Sequence, residues 1–211
     1  MRALLKNIIC VLLIFIFAKT EGQENSLEHY HLYKDVLNSS QTKTYLSSNI
    51  VTAIAQDQYG MLWFGTKRGL NSFDSYAFEE YNQNQGIINA TISSIRPVGD
   101  TLFVGTVKGL SVYDLKTREC TNYFAETDSL VLPDNNITFI SQPIKNKIVI
   151  CTKGGTSVYN LKTRDFEIIK IENYSPDYEI NSVEYMPYDN SWWAATSDGL
   201  VNFSYENQSI K

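Results

Sequence analysis

The chain of 211 residues holds only five prolines, three cysteines and two histidines. So little proline, beside 14 Tyr and 10 Phe, argues against a disordered or fibrous chain and for β-structure, where aromatic side chains pack well. Beyond the first twenty residues only Cys120 and Cys151 remain, too few for a disulfide framework in a domain of this size. They are expected to be free thiols. No cluster of Lys and Arg offsets the net charge of −5. An acidic domain repels phosphate backbones, so nucleic-acid binding by this segment is excluded as a working function. A nucleophile elbow, a Ser–His–acid pattern and a kinase motif are likewise missing, and no catalytic residue is assigned.

Long hydrophobic runs are also lacking, with one exception at the start. Met1–Lys6 supplies a basic beginning, Asn7 to Ala18 is almost continuously apolar, and polar Lys19–Gln23 follows. A membrane-spanning helix needs about 20 apolar residues, more than this run offers. Its length and basic flank fit a secretory signal peptide over residues 1–22. Cys10 lies within the run and has no small residue before it, which argues against lipid attachment. Cleavage near Thr20 would leave 15 basic against 23 acidic residues, a net charge of −8. The expected location is therefore outside the cytoplasm, in the periplasm.

The remaining sequence repeats. Four Thr-x-x-Gly elements stand at Thr66–Gly69, Thr106–Gly109, Thr152–Gly155 and Thr196–Gly199, their glycines 40, 46 and 44 residues apart. A hydrophobic run precedes each: Met61–Phe64, Thr101–Val104, Lys147–Ile150 and Ser191–Ala194. A second apolar pattern follows each, as in Leu70–Asp74, Leu110–Asp114, Thr156–Asn160 and Leu200–Phe203. The element reads as a tight hairpin in which the Thr hydroxyl bonds the turn backbone and Gly takes a positive φ. Upstream lies a shorter strand with apolar residues three apart: Val51 and Ile54, Ile92 and Ile95, Ile137 and Ile140, Ile180 and Val183. Downstream comes a more polar fourth strand, around Phe78–Tyr81, Cys120–Phe124 and Phe166–Ile169.

Four antiparallel strands every 40 to 46 residues form the unit of a β-propeller. The expected fold is therefore all-β, with about four blades at residues 48–88, 89–132, 133–177 and 178–211. Residues 23–47 form an N-terminal segment in which Leu27–Tyr33 reads as a closing outer strand. The fourth unit has no clear outer strand of its own. Two arrangements stay open: a partial propeller, which is favoured, and a closed ring of four blades.

The first unit carries a specific resemblance. Leu46-Ser47-Ser48-Asn49-Ile50-Val51, Gln56-Asp57-Gln58-Tyr59-Gly60, Leu62-Trp63-Phe64-Gly65-Thr66-Lys67-Arg68-Gly69-Leu70 and Phe73-Asp74 closely resemble the two-component regulator propeller repeat. The later units keep less of it: the second lacks the Gln-Asp-x-x-Gly turn, and the third has Cys151 and Thr156 where the pattern has Gly and Leu. The resemblance implies a non-catalytic segment of the periplasmic sensor region of a hybrid histidine kinase. Such proteins add further repeats, a β-sandwich, a membrane helix and a kinase core, and many respond to glycans. By implication the partners are the remaining blades and signalling domains of a parent protein anchored in the inner membrane, an oligosaccharide ligand and a second copy in a homodimer. No cofactor is implied. An exported propeller that docks another protein, such as a secretion-associated component, is the competing reading.

Several residues invite a functional role and are better explained by structure. Trp63 and Trp193 share a repeat slot with Phe103 and Val149, and Trp192 shares one with Leu62, Leu102 and Ile148. All three are expected in the core rather than stacked on sugars. His29 and His31 point to one face of a strand but have no third ligand nearby, so they read as a solvated face. Asp57 and Gly60 read as a turn rather than a calcium loop. Asn-x-Ser/Thr triplets at Asn38, Asn89, Asn136, Asn173, Asn202 and Asn207 are what an Asn-rich chain produces by chance. Metal and cofactor sites are therefore expected to be absent, and no ligand-binding residue is assigned.

Overall fold

The computed structural model describes residues 45–125, 131–169, 179–189 and 191–203. The expected signal peptide, the strand at Leu27–Tyr33, and His29 and His31 lie outside the described residues. Fifteen strands are described, in four successive antiparallel meanders. The first blade is β1 (Val51–Gln56), β2 (Leu62–Thr66), β3 (Gly69–Phe73) and β4 (Phe78–Tyr81), followed by a 3₁₀ turn at Gln83–Gln85. The second is β5 (Ile92–Val98), β6 (Thr101–Thr106), β7 (Gly109–Asp114) and β8 (Cys120–Tyr123). The third is β9 (Ile137–Ile144), β10 (Lys147–Thr152), β11 (Gly155–Asn160) and β12 (Phe166–Ile169). The fourth, among the described residues, is β13 (Ile180–Met186), β14 (Ser191–Thr196) and β15 (Gly199–Phe203). The expected all-β propeller architecture is thus what the chain adopts.

The Thr-x-x-Gly element forms the hairpin between the second and third strands of every blade. Thr66 Oγ1 donates to the Gly69 carbonyl at 2.8 Å and accepts from Arg68 N–H at 3.0 Å. The same pair of bonds recurs at Thr106, Thr152 and Thr196. The glycines sit at φ from 122° to 154°, a region that side chains resist. At Gly109 a Cβ would also lie 2.6 Å from the Tyr123 carbonyl oxygen.

The blades pack face to face in chain order, with the first strands β1, β5, β9 and β13 in contact along the inner side. Three buried clusters mark the three junctions. Between the first and second blades lie Trp63, Leu70, Tyr81, Ile92, Ile95, Leu102 and Tyr113. Phe103, Leu110, Ile137, Ile140, Ile148 and Tyr159 fill the next. Val149, Cys151, Val158, Ile180, Val183 and Trp192 fill the third. The two apolar residues three apart on each inner strand are therefore one half of a junction. The other half is a seat on the preceding blade, made by Gly65, Gly105 or Cys151. Cβ atoms added at Gly65 and Gly105 would each lie 2.6 Å from the Cγ2 of Ile92 and Ile137, respectively.

At the two ends of the series the same positions are bare. Ile54 is 66% exposed and Leu200 is 67% exposed, whereas their counterparts Ile95, Ile140, Val183, Leu70 and Leu110 are all buried. Trp193 shows the same effect. Trp63 and Trp192 are buried as expected, but Trp193 is half-buried. It faces outward from the fourth blade, with its Nε1 donating to Ser191 Oγ at 3.0 Å.

Candidate ligand groove on the inner strands

Each inner strand carries a register shift one residue after its first isoleucine or valine: between Val51 and Ala53, Ile92 and Ser94, Ile137 and Phe139, Ile180 and Ser182. The extra residues are Thr52, Ser93, Thr138 and Asn181. A bulge re-aims its side chain, and here it aims a hydroxyl across a junction. Thr52 Oγ1 donates to the Ile92 carbonyl at 2.7 Å, and Thr138 Oγ1 donates to the Ile180 carbonyl at 2.5 Å. The middle junction is tied differently: Ile140 N–H donates to Ser94 Oγ at 3.0 Å. Ser93, at the bulge of that blade, has a buried hydroxyl oxygen without a hydrogen-bond partner.

Beside these residues, the inner faces of β1, β5 and β9 enclose a groove of about 410 Å³. Its lining includes Thr52, Gln56, Ser93, Ser94 and Arg96 among apolar Ala53, Ile95 and Phe139. Arg96 pairs across the sheet with Phe103, and its Nε is buried without a hydrogen-bond partner. Other blades place Ala55, Ser141 and Glu184 at this position, opposite Trp63, Val149 and Trp193. A guanidinium is therefore not something the repeat requires for packing.

Polar contacts on the rims run within and between neighbouring blades. Gln58 Nε2 donates to Asp100 Oδ1 at 2.6 Å, Tyr59 also donates to that oxygen, and Lys116 Nζ lies 2.7 Å from Oδ2. The Lys116 bond, then the Tyr59 bond, holds the Asp100 carboxyl below its usual range, and Asp100 raises Lys116 in return. On another turn Lys153 and Glu179 approach to 2.5 Å, and the bond to Glu179 raises the lysine. These groups lie at the surface, Asp100 and Glu179 partly covered and the others exposed, and such pairs contribute little to stability.

Asp57 does more than form a turn. Its Oδ1 accepts the Tyr59 and Met61 N–H groups, and its Oδ2 accepts Trp63 Nε1 at 2.8 Å, fixing the indole in the first junction. Asn89 accepts the Thr91 N–H in a local turn, and Asn202 lies exposed on β15. Asn38, Asn173 and Asn207 fall outside the described residues. Cys120 and Cys151 are free thiols. Among the described residues no group of three His, Cys, Asp or Glu side chains could hold a metal ion. Among them, too, no helix is long and apolar enough to cross a membrane. Reading residues one at a time missed Arg96 and the bulge hydroxyls. The available signal was positional, an arginine in a slot where the first and third units carry Ala55 and Ser141.

The sequence profile described as two component regulator propeller matches residues 45–68, so the resemblance in the first blade holds. A curated relative, histidine kinase P4 of Formosa agariphila, is 49% identical over 39 residues, 18% of this chain and 3% of that protein. The extracellular domain of a hybrid two-component system from B. thetaiotaomicron superposes with a TM-score of 0.69 at 24% identity, covering 79% of this chain. PorZ, a surface component of the type-IX secretion system of Porphyromonas gingivalis, superposes with a TM-score of 0.57 at 13% identity, covering 81%. At these identities the likeness to both structures is one of fold. The chain spans 25% and 23% of those two chains.

Proposed function

We propose that this chain is a sensor segment of a two-component regulator, exported to the periplasm and non-catalytic, in which the blades bind a ligand or carry its signal onward. The observation behind this reading is the specific regulator repeat in the first blade. The bare faces at Ile54 and Leu200 support its being one segment of a longer propeller: both are positions that every internal junction covers with another blade. Further blades of the parent protein cover them, and its signalling domains, anchored in the inner membrane, receive the output. The ligand is a glycan or a glycan fragment.

Two steps test this. Alkaline phosphatase fused after Lys211 should be active in intact cells, which places the segment outside the cytoplasm. Replacing residues 45–203 of the chromosomal gene by an unrelated exported domain should then abolish a transcriptional response to a glycan mixture. An exported docking propeller predicts a different result: the transcriptional response survives, and a partner protein fails to reach the surface.

A further inference from the structure

The orphaned groups in the groove point to a ligand chemistry. A buried N–H without a partner costs free energy, so such groups in folded proteins are few and call for an explanation. Two of the four such side-chain atoms found among the described residues, Arg96 Nε and Ser93 Oγ, belong to residues lining this one groove. They stand on the same strand, three residues apart. The counterparts of Ser93 at Thr52 and Thr138 bond the next blade's carbonyl, and the counterparts of Arg96 are Ala55, Ser141 and the acidic Glu184, none of them a cation. The second blade therefore departs from the repeat at two points three residues apart, and each leaves a buried polar atom without a partner on a residue that lines the groove.

We propose that this groove is a binding site for the carboxylate of a small hydroxylated molecule, such as an acidic sugar. The guanidinium has a side-on edge made by Nε–H and one terminal N–H, and a planar carboxylate meets it with two parallel bonds. Ser93 supplies a hydroxyl donor on the same strand, and Ser94 and Gln56, whose side chains also bond the Ile140 N–H and the Gly60 carbonyl, line the wall. Ala53, Ile95 and Phe139 give an apolar floor for the ring carbons. A groove of about 410 Å³ is at the small end of the range that holds compact organic ligands. Nothing acidic lines it to repel the anion. This inference names a ligand class for the sensor reading and rests on that reading for its purpose, but binding itself is measured without any signalling output.

The probes are glucuronate and glucose, which differ in the carboxylate, and sulfate as an oxyanion of different shape. Each is titrated into the chain from residue 23 onward, with the melting temperature and the tryptophan and tyrosine fluorescence recorded. Glucuronate should raise the melting temperature by about 3 °C once it reaches roughly ten times its dissociation constant. Glucose should leave it unchanged. Arg96→Gln should lose the glucuronate shift when measured against its own ligand-free melting temperature. Arg96→Lys, which keeps the charge but not the fork, should weaken binding about tenfold or more, and it carries the test should Arg96→Gln not fold. The proposal is overturned if glucuronate produces no shift, if glucose matches it, if sulfate matches it, or if the shift survives unchanged in both Arg96 variants. A positive binding result with no transcriptional response in cells would leave the site standing and remove the sensor reading. The reverse pair would do the opposite.

Discussion

At the scale of single residues, the junctions between blades are matched by volume. Gly65 faces Ile92 and Ile95, Gly105 faces Ile137 and Ile140, and in the third junction Cys151 packs with Ile180 and Val183. Where the seat gains a side chain, the second residue of the pair loses a methyl group. Gly65→Ala should therefore overpack its junction and cost about 1–3 kcal/mol, because Ile92 Cγ2 lies 2.6 Å from the new Cβ. Ile95→Val, alone worth roughly 0.5–1.5 kcal/mol, should be less than additive with it, since the Ile95 Cδ1 is one of the atoms in the way. Chemical denaturation of the four proteins in that cycle measures the coupling. The seat in the third junction has a consequence for pH. Burial pushes the Cys151 thiol from about 9 up to about 12, so the folded chain holds that proton more tightly than the unfolded one. The stability this provides is complete below pH about 9 and is lost as the pH rises toward about 12. Thermal melts should show a decline beginning above pH 9, and Cys151→Ala should make it shallower between about 9 and 10; the part that remains comes from Cys120, whose thiol burial also raises, and the buried Tyr81 phenol adds its own loss from about 10 upward. In native protein Cys151 should resist alkylation until the chain unfolds.

At the scale of elements, the inner strand with its bulge decides how blades are tied. Thr52 and Thr138 each satisfy a carbonyl of the next blade, and Ser93 stands where a third such bond would form. A β-branched side chain has fewer χ1 choices, so Ser93→Thr should hold the hydroxyl toward the Ile137 carbonyl as its two counterparts do. The expected gain is about 0.5–1.5 kcal/mol, read from urea unfolding. Thr52→Val should lose a similar amount or more, because it leaves the Ile92 carbonyl without that donor. Strands and turns were legible in the sequence because they answer to strong local rules. A positive φ demands glycine at Gly69, Gly109, Gly155 and Gly199, and a junction demands apolar residues at Ile92 and Ile95. The bulges were not legible. A Thr or Ser within an alternating strand reads as a solvent-facing position, and only the shift in register turns it across the junction. Arg96 was missed for the same reason, since a lone arginine on a strand reads as solvated. Asp57 was read correctly as a turn former, but its bond to the Trp63 indole spans six residues and depends on where β2 places the ring.

At the scale of the whole molecule, the four blades form a series with a complementary half-junction at each end. The first blade presents Val51 and Ile54 uncovered, and the fourth presents Leu200 and half-buried Trp193. The sequence marked Trp193 as core because its slot is core elsewhere; that slot is buried only when a following blade lies over it. Each end face is the shape its counterpart inside the series binds, so one copy's first blade can pack against another copy's fourth, a head-to-tail contact that need not close. The central claim, that these faces are junctions awaiting a blade, is tested most directly by sedimentation velocity. The chain from residue 23 onward is compared over a range of concentrations with the variant Ile54→Asn/Leu200→Asn. The account predicts that the parent chain associates as concentration rises and that the variant sediments as a monomer. A parent chain that stays monomeric at every concentration and unfolds in one sharp transition would contradict it.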